Sequence, residues 1–193
     1  MQYKLNTKEA QAVSLASASG LGEACKTKGV YSGRCFHEEG GKLRWEQKFG
    51  NVVVTVGKDL ILQTVLTGSS YSVNGPYIGL ISSVDWTATS ATDTMTSHAG
   101  WKEAGATNAP TFTSRIVPSF STATSGAIST STPVSFTMTG SGTLEGAFLV
   151  FGTGAVSTID DTAGVLLSAG AFVDGPQPVS PGNVVQITYE LSL

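Results

Sequence analysis

Val134-Ser135-Phe136-Thr137-Met138-Thr139 is the stretch on which the fold class turns. Apolar side chains at 134, 136 and 138 alternate with small hydroxyls at 135, 137 and 139. That is the period of a strand with one face in a core and the other in water. The six residues lie within 111–145, where 17 of 35 positions are Ser or Thr. Composition alone suggests a linker, but the alternation makes the hydroxyl side the solvated face of a sheet. The same period returns at the C-terminal end, where Val185, Ile187, Tyr189 and Leu191 point one way.

Working outward, further strands read from Leu144 to Phe151 and from Val165 to Phe172. Pro176, Pro178 and Pro181 punctuate the turn before the last strand. Near the N-terminal side, Val30, Tyr31, Cys35 and Phe36 read as a strand. Glu38-Glu39-Gly40-Gly41-Lys42 then supplies a tight turn, and Leu43, Trp45, Lys48 and Phe49 return. Asn51–Val56 is a β-branched run and reads as a buried strand broken at Gly57. Leu60, Ile61, Leu62, Val65 and Leu66 follow helical spacing, which predicts a helix over 58–67. Pro76–Ile81 is almost wholly apolar and reads as a strand buried on both faces. Thr92-Asp93-Thr94-Met95 reads as a single helical turn capped by Thr92 or Asp93.

The bulk numbers agree with a β protein. The chain has 193 residues, of which 13% are charged and 40% hydrophobic. It carries 23 Ser, 24 Thr and 23 Gly, which leaves little room for helix formers. The expected fold is mainly β: an antiparallel β-sandwich or jelly-roll-like domain over 29–193, with one short helix and an N-terminal arm over 1–28. No stretch approaches the roughly 20 apolar residues of a membrane span.

Charge is unevenly placed. Residues 1–58 hold nine basic and five acidic side chains, a net of +4. The remainder holds Lys102 and Arg115 against nine acids, a net of −7. The arm has few large apolar side chains for a core of its own, and Lys8–Ala18 within it reads equally as a short helix with Thr7 as N-cap or as an extended arm. Lys4, Lys8, Lys26, Lys28 and Arg34 are therefore expected to form a docking interface on an acidic partner. The cations are spread singly among acids, so nucleic acid is not an expected partner, and neither is a membrane.

Candidate chemistry is sparse. Cys25 and Cys35, with His37 close by, lack the spacing of a metal site, and both are expected to be reduced thiols in a protein assembled in cytosol. His98 lies among Met95, Ser97 and Trp101. It reads either as a general base for a serine or as a polar ring fixing a tight loop. No nucleophile elbow surrounds it, so the second reading is preferred. Asp160-Asp161 reads as a calcium loop or, preferably, as an ordinary Asp turn. Trp45, Trp86 and Trp101 read as a sugar-stacking face or, preferably, as core and edge aromatics. No catalytic residue, metal or cofactor is expected.

Several stretches taken together carry a resemblance. They are Asn51-Val52-Val53-Val54-Thr55-Val56-Gly57-Lys58, Pro76-Tyr77-Ile78-Gly79-Leu80-Ile81-Ser82-Ser83, and Asp93-Thr94-Met95-Thr96-Ser97-His98-Ala99-Gly100-Trp101. Leu167–Phe172 and Ile187–Leu193 extend it. Over about 50–193 the chain resembles a family of tailed-bacteriophage virion structural proteins. The resemblance carries no catalytic motif. It implies a virion protein assembled in the host cytoplasm, forming homo-oligomers and contacting other virion proteins, either the major capsid protein or neck and tail proteins. With the basic arm, the expectation is a non-enzymatic capsid decoration or cement protein. A neck, collar or tail-fibre attachment protein is the alternative within that class, and a carbohydrate-binding host-recognition module the alternative outside it.

Overall fold

The computed structural model describes residues 27–67 and 74–193. Most of the arm, residues 1–26, lies outside the described residues, and with it Lys4, Lys8, Lys26 and Cys25. The elements in chain order are β1 (Lys28–Phe36), β2 (Leu43–Gly50), β3 (Val52–Val53) and α1 (Thr55–Thr67). They continue with β4 (Tyr77–Ser82), β5 (Lys102–Glu103), β6 (Ala127–Ser129), β7 (Val134–Thr137) and β8 (Gly142–Phe151). Last come β9 (Val165–Ala171), β10 (Gln177–Val179) and β11 (Val184–Ser192). The protein is mainly β, and all of the strand pairs that build its two sheets are antiparallel.

The first sheet runs β2-β1-β11, with β6 and β7 following one another along the far edge of β11. Its centre is the pairing of the first and last strands, from Lys28↔Ser192 to Phe36↔Val184. The β1–β2 hairpin turns at Gly40, whose φ of 66° is the left-handed conformation the Gly-Gly pair provides. The second sheet runs β3-β9-β8-β4-β5, with β10 continuing the β9 edge along β8. The sheets stack face to face. Phe49 meets Phe172 edge-on at 5.0 Å, and the Tyr31 hydroxyl lies 2.9 Å from Ser168 Oγ of the other sheet. Val134, Phe136, Met138, Val185, Ile187 and Tyr189 all face this core, as their alternation predicts.

The two sheets differ in what covers them. The outer face of the first is polar, with Ser32, Arg34, Glu46, Gln186 and Thr188 in one patch. The second is buried on both sides. Its outer face packs Ile81, Phe148, Val150, Leu166 and Ala169 against Trp101, Met95 and Val54. This is why β4 and β8 read as nearly continuous apolar runs. In β8 the inward set jumps from Leu144 to Ala147, because Ile81 pairs with Gly146 and Ser82 with Leu144, leaving Glu145 as a bulge.

Two local expectations are corrected. The run 51–56 is a strand only at Val52–Val53, and the helix starts at Thr55 rather than 58. Gly57 does not break the chain. A Cβ there would sit 2.8 Å from Leu167 Cα and 2.9 Å from Leu166 O, so glycine lets the first turn of α1 lie directly on β9. Burial against β9 outweighs the strand preference of the valines. The second correction concerns 92–95, which forms turns and a Thr94↔Ser97 bridge rather than a helical turn. Asp93 turns back to Ser90 and Trp101 instead of capping forward.

Gly57→Ala tests the close approach. Helix propensity alone favours the change by about 1 kcal/mol. The contact with β9 backbone is expected to reverse the sign and lower stability by about 1–3 kcal/mol in urea unfolding.

Candidate functional site

The loop between β4 and β5 is built around one buried carboxylate. Asp93 Oδ2 accepts the Trp101 indole N–H at 2.9 Å and the Ser90 amide at 2.8 Å. Trp101 is thereby pinned under the loop, 1% exposed, against Phe148 of the second sheet at 5.2 Å. His98 stacks on Trp101 at 3.9 Å, and its Nδ1 lies 3.0 Å from the Trp101 carbonyl oxygen. Gly100 closes the loop because its missing Cβ would lie 2.1 Å from Ala88 O.

Beside this loop lies a cleft of about 440 Å³. His98, Trp101, Asp160 and Asp161, four residues singled out from sequence for separate reasons, all line it. Glu103 forms part of its wall, with Lys102, Asn108 and the 95–97 turn.

The wall is organised by a pair that the sequence reading did not single out. Arg115 Nε and Nη2 donate to Glu103 Oε1 and Oε2 at 2.8 and 2.7 Å. Their side chains are 0% and 5% exposed. The guanidinium also donates to Asp161 O at 2.6 Å and Val156 O at 3.2 Å, and its centre lies 5.5 Å from the Phe148 ring centroid. Glu103 Oε2 accepts the Asp160 amide at 2.9 Å as well. Burial pushes the Glu103 carboxyl above its ordinary value, while Arg115 and the Asp160 amide pull it down. Both carboxylate oxygens accept from the guanidinium, the bidentate geometry of an ion pair. Only one clue in the sequence pointed here: Arg115 is one of two cations after residue 58 and stands alone among Ser, Thr and apolar residues.

The aspartates serve the same loop. Asp160, at φ 62°, accepts from Thr107 Oγ1 at 2.7 Å and from the Thr107 amide at 3.2 Å. Asp161 Oδ1 accepts the amide of Ala163 two residues on, which is the turn bond that the preferred reading assigned to this pair. Among the described residues no three His, Cys, Asp or Glu side chains are grouped to hold a metal. His98 likewise makes the loop-fixing contact rather than a bond to a serine hydroxyl.

The three tryptophans do not share a face. Trp45 packs on Phe172 in the inter-sheet core at 5.3 Å, whereas Trp86 and Trp101 belong to the layer outside the second sheet. Of the proposed interface cations, Lys28 opens β1 and is exposed. Arg34 is held by Glu46 at 2.7 Å on the outer face of the first sheet, so its charge is already paired. Cys35 is fully buried in the core, and burial raises its thiol to about 11. Tyr189, in the same core, is pushed up to about 12 for the same reason. Among the described residues no helix is long and apolar enough to cross a membrane. Compared with known proteins, the chain matches no family model, no curated sequence and no solved structure.

The raised thiol sets an alkaline limit. Folded Cys35 titrates near 11 against 9.0 for an ordinary thiol, so the folded state prefers the neutral form. That contribution is complete below about pH 9 and is lost as pH rises toward 11. Urea unfolding is expected to weaken by roughly 2 kcal/mol across this window. Cys35→Ala should stay flat up to about pH 10 and fall above it, where tyrosines of the unfolded chain ionise while buried Tyr31 and Tyr189 stay neutral.

Proposed function

We propose that this protein is a non-enzymatic structural component of a tailed-bacteriophage virion, a decoration or cement protein that docks on the head shell. The observation that carries the proposal is that the stretches bearing the family resemblance build the scaffold. Asn51–Lys58 delivers α1 onto β9, and Pro76–Ser83 supplies the doubly buried β4. Asp93–Trp101 contains the Asp93–Trp101 lock, with His98 stacked on it. A scaffold built from these stretches fits a protein whose task is to hold shape and offer surfaces.

Side-chain chemistry in the main cleft supports the same reading. Glu103, Arg115, Asp160, Asp161 and His98 all hold loops together. Docking is assigned to the basic N-terminal arm. With Arg34 paired to Glu46, the docking cations proposed are the four lysines of the arm, Lys4, Lys8, Lys26 and Lys28. An acidic shell surface is the matching partner, and such contacts weaken as salt rises. A carbohydrate-binding role loses its main support, because the tryptophans lie in two separate layers.

Copy number per particle tests this. A head-decoration role predicts a number comparable to that of the shell subunit, measured by quantitative mass spectrometry of purified virions. A small symmetric set confined to the neck or tail would transfer the assignment there. Absence from virions would refute the structural role.

A further inference from the structure

Among the described residues, β2 is the long open edge of the two sheets. It pairs with β1 on one side and with no strand on the other. The strands at the remaining edges are short: β3 and β5 have two residues each, β6 and β10 three each, and β7 four. β2 has eight. Very short edge strands are a common way to keep a sheet from pairing with another chain, and β2 lacks that protection.

The edge is also held in place from its inner side. Trp45 and Phe49 both pack on Phe172, with ring centroids 5.3 and 5.0 Å away. Trp45 Nε1 donates to Pro178 O at 3.3 Å, and Gln47 Nε2 donates to Asp174 Oδ2 at 2.8 Å. A strand added here meets a fixed template, so little ordering cost is left on this side.

The outer side carries an unfinished set of charges. Residues two apart on a strand share a face, so Glu46 and Lys48 both stand on the polar face of the first sheet. Arg34 Nε and Nη2 both reach the same atom, Glu46 Oε1, at 2.7 Å. The other carboxylate oxygen, Oε2, has no partner among the described residues. Nor does Lys48 join an ion pair there.

These charges select both the partner and the register. If a second copy pairs antiparallel through β2 with the polar faces on one side, the two-fold axis passes through one residue of the strand. An axis at Glu46 sets Glu46 against itself and Arg44 against Lys48. An axis at Lys48 sets Lys48 against itself. Like charges directly opposite are unfavourable. An axis at Trp45 pairs only residues 43–47 and leaves Lys48 outside. An axis at Gln47 pairs residues 44–50, sets Trp45 against Phe49, and sets each Glu46 against the other copy's Lys48.

We propose that two copies of the chain join antiparallel through β2 with Gln47 at the two-fold axis, making one continuous sheet of their first sheets. The main-chain ladder supplies the affinity, and the two Glu46–Lys48 pairs fix the register. Each Lys48 extends an Arg34–Glu46 pair into a row of three charges across the junction. The proposal goes beyond the virion assignment and does not rest on it.

Sedimentation of the full chain tests it. The unaltered protein is expected to be a dimer at about 100 μM. Lys48→Glu brings like charges together at both pairs, and should weaken the dimer about tenfold. Glu46→Lys should do the same. Both positions are exposed, so neither change touches the core. Mixed in equal amounts, the two variants regain opposite charges at both pairs and should form a heterodimer tighter than either variant makes alone, which also shows both to be folded. A monomeric unaltered chain at that concentration would overturn the proposal. So would a dimer that neither variant weakens, or a mixture that associates no better than its components.

Discussion

The buried pair of Arg115 and Glu103 is the constraint around which the outer layer is arranged. Two charges removed from water carry a desolvation cost of several kcal/mol each, which only close geometry and further hydrogen bonds offset. Here two parallel bonds, two backbone carbonyls and the Asp160 amide satisfy the pair. The pair and its partners come from three different pieces of chain. Glu103 lies on β5, Arg115 follows it by twelve residues, and Val156, Asp160 and Asp161 lie between β8 and β9. Satisfying the charges therefore fixes three segments against one another. Losing either partner would leave an uncompensated buried charge, at a cost of about 3–5 kcal/mol.

That cross-link explains why the second sheet behaves as a central layer. Its outer face would otherwise present Phe148, Val150 and Leu166 to water. Instead it is roofed by Trp101, by Met95 and by the segment that Arg115 holds down. The first sheet needs no such roof, because its outer face carries Ser32, Gln186, Thr188 and the Arg34–Glu46 pair. Among the described residues the one buried ion pair is at this junction, while Arg34–Glu46 and Lys102–Asp85 pair at the surface.

How much of this was legible follows from which faces meet water. The strands at 134–137 and 184–192 were readable because one side of each is solvated and the period of two survives. β4 was readable as doubly buried from its unbroken apolar run. The phase change in β8 was not, since nothing in Leu144-Glu145-Gly146 signals that Glu145 bulges out of register. Val52–Val56 misled because strand preference is local, whereas the start of α1 is set by contact with Leu167, far along the chain. At the cleft, the loop-fixing roles of His98 and of the paired aspartates were readable from their neighbours. The Arg115–Glu103 bond was not, because a contact across twelve residues through loops leaves no periodic trace.

Native-state amide hydrogen exchange probes this junction most directly. In the unaltered protein the Asp160 and Arg115 amides should exchange as slowly as those of the β1–β11 pair, since each is bonded within the junction. In Arg115→Met those two should lose protection selectively, while Tyr31 and Tyr189 in the sandwich core keep theirs. Fast exchange at Asp160 in the unaltered protein, or unchanged protection there in Arg115→Met, would show that the outer layer is held by something other than the buried pair.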